Sequence, residues 1–375
     1  MSDLFVGEIL IFFLLLPVML RPFFRRLQRI EGCALLPFLA FLLCVAVIAA
    51  FGLQITFLPV LFFCLLVFLS GLARLFRLFR HLPTDWYSPV AKVYGVFLLL
   101  LFVSVLWLSF AFAPEAAFFS GKNVQRVFST QTVSGGIKAR VTTWSPPVAG
   151  TNAEKNPIVL FVGDVSSGAA GRRTAASILA ENGYTVVAAD FSGSRDYENP
   201  LLASSTLRSF LFRFSRVFSI SLAPANGKTV RFAQAREVDR LVEIAKGRYG
   251  SDAVFYVVAE GSACDAVLSL RSARPDLFGG VFCILPSDAV VSVSGGDSIM
   301  KAVDSGAMPA NAGSFPVFVL TGGPETLYGF GELAADDPLA AAQCGVSRDL
   351  DRKQAEITAR RAASWFTMRR AYDNH

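Results

Sequence analysis

The sequence predicts a region of four transmembrane helices followed by an α/β domain built on a doubly wound, mostly parallel sheet. Three observations lead there. Apolar runs crowd the first 113 positions, which hold 18 of the 35 Phe, so the mean hydropathy of +0.50 averages two different regions. From Pro157 onward, short apolar runs alternate with amphipathic helical patterns, as in parallel strands joined by crossover helices. One of those runs, Val254-Phe-Tyr-Val-Val-Ala-Glu-Gly-Ser-Ala-Cys-Asp265, passes from strand-type residues through small residues straight into a helix start.

The membrane region comes first. Leu4 to Leu20 is apolar except for Glu8, and positions 33–51, 53–73 and 93–113 are three further runs able to cross ~30 Å of hydrocarbon. Backbone groups in lipid must be satisfied within the segment, so these are expected to be helices, kinked at Pro17, Pro37 and Pro59. The start of the chain lacks a basic n-region and more spans follow, which argues against a cleaved signal peptide. Arg21, Arg25, Arg26 and Arg29 follow the first run, and Arg74, Arg77 and Arg80 follow the third. Placing both basic loops inside predicts an integral inner- or plasma-membrane protein with residues 118–375 extracytoplasmic. Glu8 has two readings: a functional intramembrane carboxylate, or a side chain reaching the interface.

The soluble domain, from position 118, opens with a hairpin over Val124 to Trp144, turning at Gly135-Gly136. A Pro/Gly/Asn-rich connection leads to Pro157-Ile-Val-Leu-Phe-Val162, a strand buried on both faces. A helix over Arg172 to Asn182 closes at Gly183, and Thr185 to Asp190 is the next strand. A helix over Glu237 to Lys246 precedes the strand at Val254. Strands at Gly280–Leu285 and Pro316–Thr321 and a helix from about Leu350 to Met368 complete the pattern.

A strand turning sharply into a helix is the geometry of a nucleophile elbow, which needs small neighbours around one exposed residue. Ala259-Glu260-Gly261-Ser262-Ala263 fits in two registers. In the favoured one Gly261 stands at the nucleophile position. In the other, Ser262 is the nucleophile and Glu260 fills a slot that suits a small residue.

With the hairpin, the connection, Ile158-Val-Leu-Phe-Val-Gly163, Val187-Ala-Ala-Asp190-Phe-Ser-Gly193, the elbow and Pro316-Val-Phe-Val-Leu-Thr-Gly322 in this order, the chain from about 122 to 375 resembles the α/β-hydrolase superfamily. The resemblance implies an oxyanion hole built by Gly163 and Asp164 with the amide after the nucleophile, Ala263 in the Ser262 register. It also implies Glu325 as the acid of a triad. The motifs are degenerate. The base expected before the last helix is missing, because positions 336–348 contain no His, and the chain's two His are His81, in a basic loop, and His375, its last residue. A serine nucleophile needs a base within hydrogen-bond reach. A Ser–Lys dyad with Lys301, or a thiol nucleophile at Cys264, are the remaining routes to chemistry.

Positions 1–113 carry eight Lys/Arg against four Asp/Glu and the rest 27 against 25, so no basic face for nucleic acid is expected. The six Cys, with Cys264, Cys283 and Cys344 isolated in the soluble part, show no metal spacing and no disulfide framework. No cofactor is expected. A possible cap segment lies near 196–230, where Leu207, Phe210, Leu211, Phe214, Val217 and Phe218 share one helical face and Arg208, Arg213 and Arg216 lie off it. It could cover a pocket, rest on a membrane surface or simply pack on the sheet. Three functions compete. One is a pseudohydrolase that binds a lipid-like or small ester ligand, or a protein partner, at the lipid bilayer. Another is an active serine hydrolase of ester, thioester or amide bonds using Ser262 with a non-standard base. The last is a transport or partner role for the membrane helices.

Overall fold

The computed structural model describes residues 3–80, 89–114, 124–133, 135–146, 157–165, 173–193, 196–197, 200–218, 227–250, 253–286, 299–303, 308–309, 311–322, 337–343 and 348–373. The chain divides into two compact units: Met1–Ala116 together with Ala335–Leu339, and Ala117–Ala334 together with Ala340–His375.

The first unit is helical. Helices α1 (Asp3–Leu20), α4 (Leu58–Phe79) and α5 (Pro89–Ala111) are long and apolar enough to cross a membrane. A short α2 (Arg25–Gln28) and a tight turn at Glu31–Ala34 lead into α3 (Leu36–Phe51). The expected span at 33–51 therefore shrinks to 16 helical residues. At 1.5 Å per residue that is about 24 Å, short of the ~30 Å hydrocarbon core. Two expected kinks are also corrected. Pro37 and Pro59 sit in the first turns of α3 and α4, where the missing N–H costs no intrahelical bond, and only Pro17 lies inside a helix.

Helix α1 packs on α3 and α5, and α4 packs on the same two. Phe12, Phe63 and Phe102 meet between them, with ring centroids 5.4 and 5.9 Å apart. The outward faces stay apolar: Phe13, Phe62 and Trp107 are each at least 64% exposed. Helices that are apolar all round belong in lipid rather than water, so this unit has the makings of a membrane anchor. Glu8 is fully buried beside Ser109 rather than reaching an interface, which corrects that reading.

A carboxylate from late in the chain completes this unit. The turn before α4 points the Ile55 and Thr56 amides inward, and both donate to Asp337, at 2.7 and 2.8 Å. The Thr56 hydroxyl donates to Asp337 at 2.5 Å and accepts from the Leu339 amide at 3.2 Å. Asp337 is fully buried.

The second unit is a sheet in the order β1-β2-β4-β3-β5-β6-β8-β7. Its strands are β1 (Gln125–Val133), β2 (Ile137–Ser145), β3 (Ile158–Val162), β4 (Thr185–Ser192), β5 (Phe255–Glu260), β6 (Phe278–Pro286), β7 (Ile299–Val303) and β8 (Val317–Gly322). Strand β2 runs antiparallel to β1 and β4, and every other pairing is parallel. A mostly parallel sheet of this kind is consistent with the α/β-hydrolase resemblance. The edge strand β7 was not foreseen.

Because side chains alternate along each strand, the sheet has two apolar faces. One, with Leu160, Val257 and Val281, is covered by α8 (Gly227–Tyr249) and α9 (Ser262–Ala273) through Leu241, Val242 and Val267. The other, with Val159, Val258 and Phe282, is covered by α6 (Arg173–Glu181) and the last helix, α11 (Arg348–Asp373), which α10 (Pro338–Gln343) precedes. Trp365 of α11 stacks over Gly280 so closely that a Cβ there would lie 2.8 Å from its ring, and its indole N–H donates to Ala312 O at 3.0 Å.

Asp337→Ala leaves two amides and a hydroxyl buried without an acceptor, and a stability loss of at least ~2 kcal/mol is expected. Thermal unfolding of the full-length chain in detergent measures it, with a smaller loss for Asp337→Asn, which keeps one acceptor oxygen.

Candidate functional site

Strand β5 is buried along its whole length and has to leave the sheet where α9 begins. One residue makes the turn. Gly261 has φ 52° and ψ −123°, a backbone that side chains oppose, and Ser262 is already the first residue of α9. The turn is pinned from both sides: the Gly261 amide donates to Ile284 O of β6 at 2.9 Å, and the Cys264 amide donates to Gly261 O at 3.1 Å.

The neighbouring strand β3 ends beside it at Val162 and continues into Gly163-Asp164. Since β4 lies on one side of β3 and β5 on the other, this is where the strand order reverses. In open α/β sheets ligands bind in the crevice at such a point, beyond the carboxyl ends of the strands. Here the crevice holds a protein carboxylate. Asp164 Oδ1 accepts from the Ser262 amide at 3.1 Å and from the Ser262 hydroxyl at 2.7 Å. A Cβ built on Gly261 would lie 2.7 Å from the same oxygen. The Asp164 side chain thus stands where a side chain on residue 261 would go, and it takes the amide that follows that position. The positive end of α9 favours an anion there.

Next to this turn lies a cavity of about 50 Å³ lined by Asp164, Asp190, Tyr197, Arg208, Gln234 and Glu237, among others. That is room for a few water molecules. Arg208, on α7 (Ser205–Val217), is 7% exposed and makes a two-pronged pair with Glu237 of α8, at 3.0 and 3.4 Å. Its guanidinium also donates to Leu202 O at 3.3 Å and lies 4.4 Å over the Tyr197 ring. Burial raises the Glu237 carboxyl above the usual carboxylate range, and Arg208 opposes that rise. Burial likewise raises the Tyr197 phenol, with Glu237 adding to the effect. Arg240 bonds Asp196 at 2.6 Å on the same side of α8.

Of the residues singled out in the sequence, Gly163, Asp164, Gly261, Ser262 and Ala263 come together at this crevice, with Ala263 fully buried in the first turn of α9. Lys301 does not. It is exposed on β7, three strands from β5, or roughly 14 Å at the usual strand spacing. Cys264 is fully buried, its thiol donating to Ala259 O at 3.3 Å, and burial pushes that thiol up, the opposite of an activated thiolate. Glu325, His81, His375 and Cys344 lie outside the described residues. Arg208 and Glu237 carried no signal in the sequence, since Arg208 reads as part of a solvent-facing stripe and its partner follows 29 residues later. Among the described residues no group of three or more His, Cys, Asp and Glu could hold a metal ion.

A family model named TP_0976_N, described as an N-terminal domain, matches residues 2–111. A protein of Treponema pallidum (strain Nichols), itself described as uncharacterized, is 27% identical over 417 residues, covering 97% of this chain and 89% of that one. The match therefore runs through both units. Among solved structures, an epoxide hydrolase from Vigna radiata is 18% identical over 44% of this chain and 39% of its own, with a TM-score of 0.28. Epoxide hydrolase I of potato (Solanum tuberosum) is 18% identical over 43% and 40%, again with a TM-score of 0.28. The chain spans about two fifths of the length of these plant enzymes.

Gly261→Ala forces a side chain onto both a positive φ and the Asp164 carboxylate. A destabilisation of about 2–4 kcal/mol is expected, and combining it with Asp164→Gly should cost less than the sum of the two single changes by at least ~0.5 kcal/mol. Denaturant unfolding of the four variants measures the coupling.

Proposed function

We propose that this chain is a membrane-anchored α/β-hydrolase-like protein that has exchanged chemistry for binding: a pseudohydrolase that holds a lipid-like or small ester ligand, or a protein partner, at the membrane surface. One observation carries the reading. The oxygen of Asp164 that bonds the Ser262 amide also fills the place of a side chain on Gly261, so nucleophile position and anion-stabilising amide are blocked by a single group. A reacting carbonyl would need both. The lack of a His between 336 and 348 supports it further.

For the membrane arrangement we propose that α3 crosses together with α1, α4 and α5. An even number of crossings puts the turn before α4 and the chain after α5 on one side, and the basic residues around Arg25 and Arg77 on the other, so the domain is extracytoplasmic. The position of Asp337 on the turn before α4 supports the crossing of α4 and α5 as a pair, because a residue that follows the domain's strands then reaches that turn without passing through the bilayer.

A second reading, an active serine hydrolase, draws on the 2.7 Å bond from the Ser262 hydroxyl to Asp164, which could act as an unusual base. A carboxylate is far too weak a base to ionise a hydroxyl readily, which favours the first reading.

Two experiments separate these readings. The full-length protein is expected to show no labelling by a fluorophosphonate probe, with heat-denatured protein as control; labelling abolished by Ser262→Ala would establish the active enzyme instead. In sealed right-side-out membrane vesicles, added protease should remove the domain while leaving the basic loops protected. Cleavage confined to the basic loops would reverse the topology.

A further inference from the structure

The side of α8 that borders the cavity beside Asp164 offers hydrogen-bonding atoms that the protein leaves unused. Gln234, Glu237, Val238 and Leu241 all line that cavity, and their helical spacing places them on one face. Glu237 is matched by Arg208. Gln234 is not matched: it is 4% exposed, and its side-chain oxygen is shut off from bulk solvent without a hydrogen bond. Tyr197, equally buried and in the same wall, lies close enough to Glu237 for the carboxylate to act on its phenol. Its hydroxyl nonetheless makes no hydrogen bond of ordinary geometry. Buried polar atoms are nearly always paired with protein, water or ligand, so two orphans in the wall of one cavity point to a bound occupant.

The chemistry of the wall narrows what that occupant is. Oxygen predominates: among the described residues the cavity is lined by the carboxyl groups of Asp164, Asp190 and Glu237, the Gln234 amide and the Tyr197 hydroxyl. A carboxylate accepts several bonds at once, so those already made leave further capacity. The one basic side chain in the wall, Arg208, already donates to Glu237 and to Leu202 O. An anion is therefore disfavoured. The acidic groups do not converge as metal ligands do, since among the described residues no three could hold an ion. An ammonium group meets both conditions, being positive and carrying three N–H donors that point apart toward acceptors spread around a cavity. A volume of about 50 Å³ admits such a head with little more than a carbon attached.

We infer that this cavity binds a small primary amine as its ammonium ion, with Gln234 Oε1 and the Tyr197 hydroxyl accepting from it beside the Glu237 carboxylate. The inference goes beyond the pseudohydrolase reading and does not depend on it, because none of these groups is the Ser262 hydroxyl. The site stands whether or not Ser262 reacts with a fluorophosphonate.

The test titrates the full-length chain in detergent with methylammonium, methanol or acetate at matched ionic strength, following the methyl resonance of each probe by saturation-transfer NMR, with heat-denatured protein as control. Methylammonium should saturate, and methanol and acetate should bind about tenfold more weakly or worse. Gln234→Leu replaces the orphaned amide with an apolar side chain of similar size. It should weaken methylammonium binding about tenfold while leaving the thermal midpoint unchanged or raised. Tyr197→Phe, which keeps the ring and removes the hydroxyl, should weaken binding in the same direction. Methanol binding as tightly as methylammonium overturns the ammonium assignment. No saturable methylammonium binding means that the cavity holds water only, and the inference falls. Saturation indifferent to both substitutions places the amine elsewhere and overturns it equally.

Discussion

The hydrogen bonds from Ser262 to Asp164 govern what this domain can do. Strand β5 can enter α9 in a single residue only because that residue is Gly261, with a backbone that a Cβ would strain. The absence of a side chain leaves a gap at the carboxyl end of the sheet. A donor-rich helix start beside an empty gap would draw in water or an anion, and Asp164 supplies the anion from within. The two features support each other: the carboxylate fits because the residue is glycine, and any larger residue meets the carboxylate first. Once both are in place, neither changes freely, since either change alone gives a strained turn or an empty gap.

The helical unit uses the same device. Asp337 and Asp164 are both carboxylates that accept from backbone amide and hydroxyl donors at a helix start. Amide donors are already part of the chain and lose little entropy on pairing, whereas a lysine or arginine must be ordered first. Arg208 and Glu237 show the other solution, a two-pronged ion pair whose desolvation is offset by direct contact and by the Leu202 carbonyl.

Where a feature depends on local pattern, the sequence discloses it. Strands β3, β4, β5, β6 and β8 read as apolar runs because each is buried on both faces, and α6 and α11 read from their period and from Gly183. Gly261 could be singled out because an elbow requires small residues in a fixed order. Features that depend on distant partners could not be read. Strand β7 is five residues long with Lys301 at its centre, and its place is fixed by pairing with β8. Helix α8 begins ten residues before the expected Glu237, its early turns burying Val230, Ala233 and Gln234 under α7 rather than showing a regular apolar period. The orientation of α7 turns on Glu237, and amphipathic spacing alone assigns the arginine to solvent. Asp164 was legible as a loop residue at the crevice, but not as the group that fills it.

The Asp337 bonds also impose an order in time. Ile55 and Asp337 are 282 residues apart, and at ribosomal rates of about 5–20 residues per second roughly 15–55 s separate their synthesis. Throughout that interval the turn before α4 holds amides and a hydroxyl with no acceptor from the chain, so they must stay hydrated or borrowed by another protein. The helical unit is therefore made before the domain's strands and finished only after them. A truncated product ending before Asp337 would carry the apolar helices of this unit and still lack the carboxylate that fastens the turn before α4.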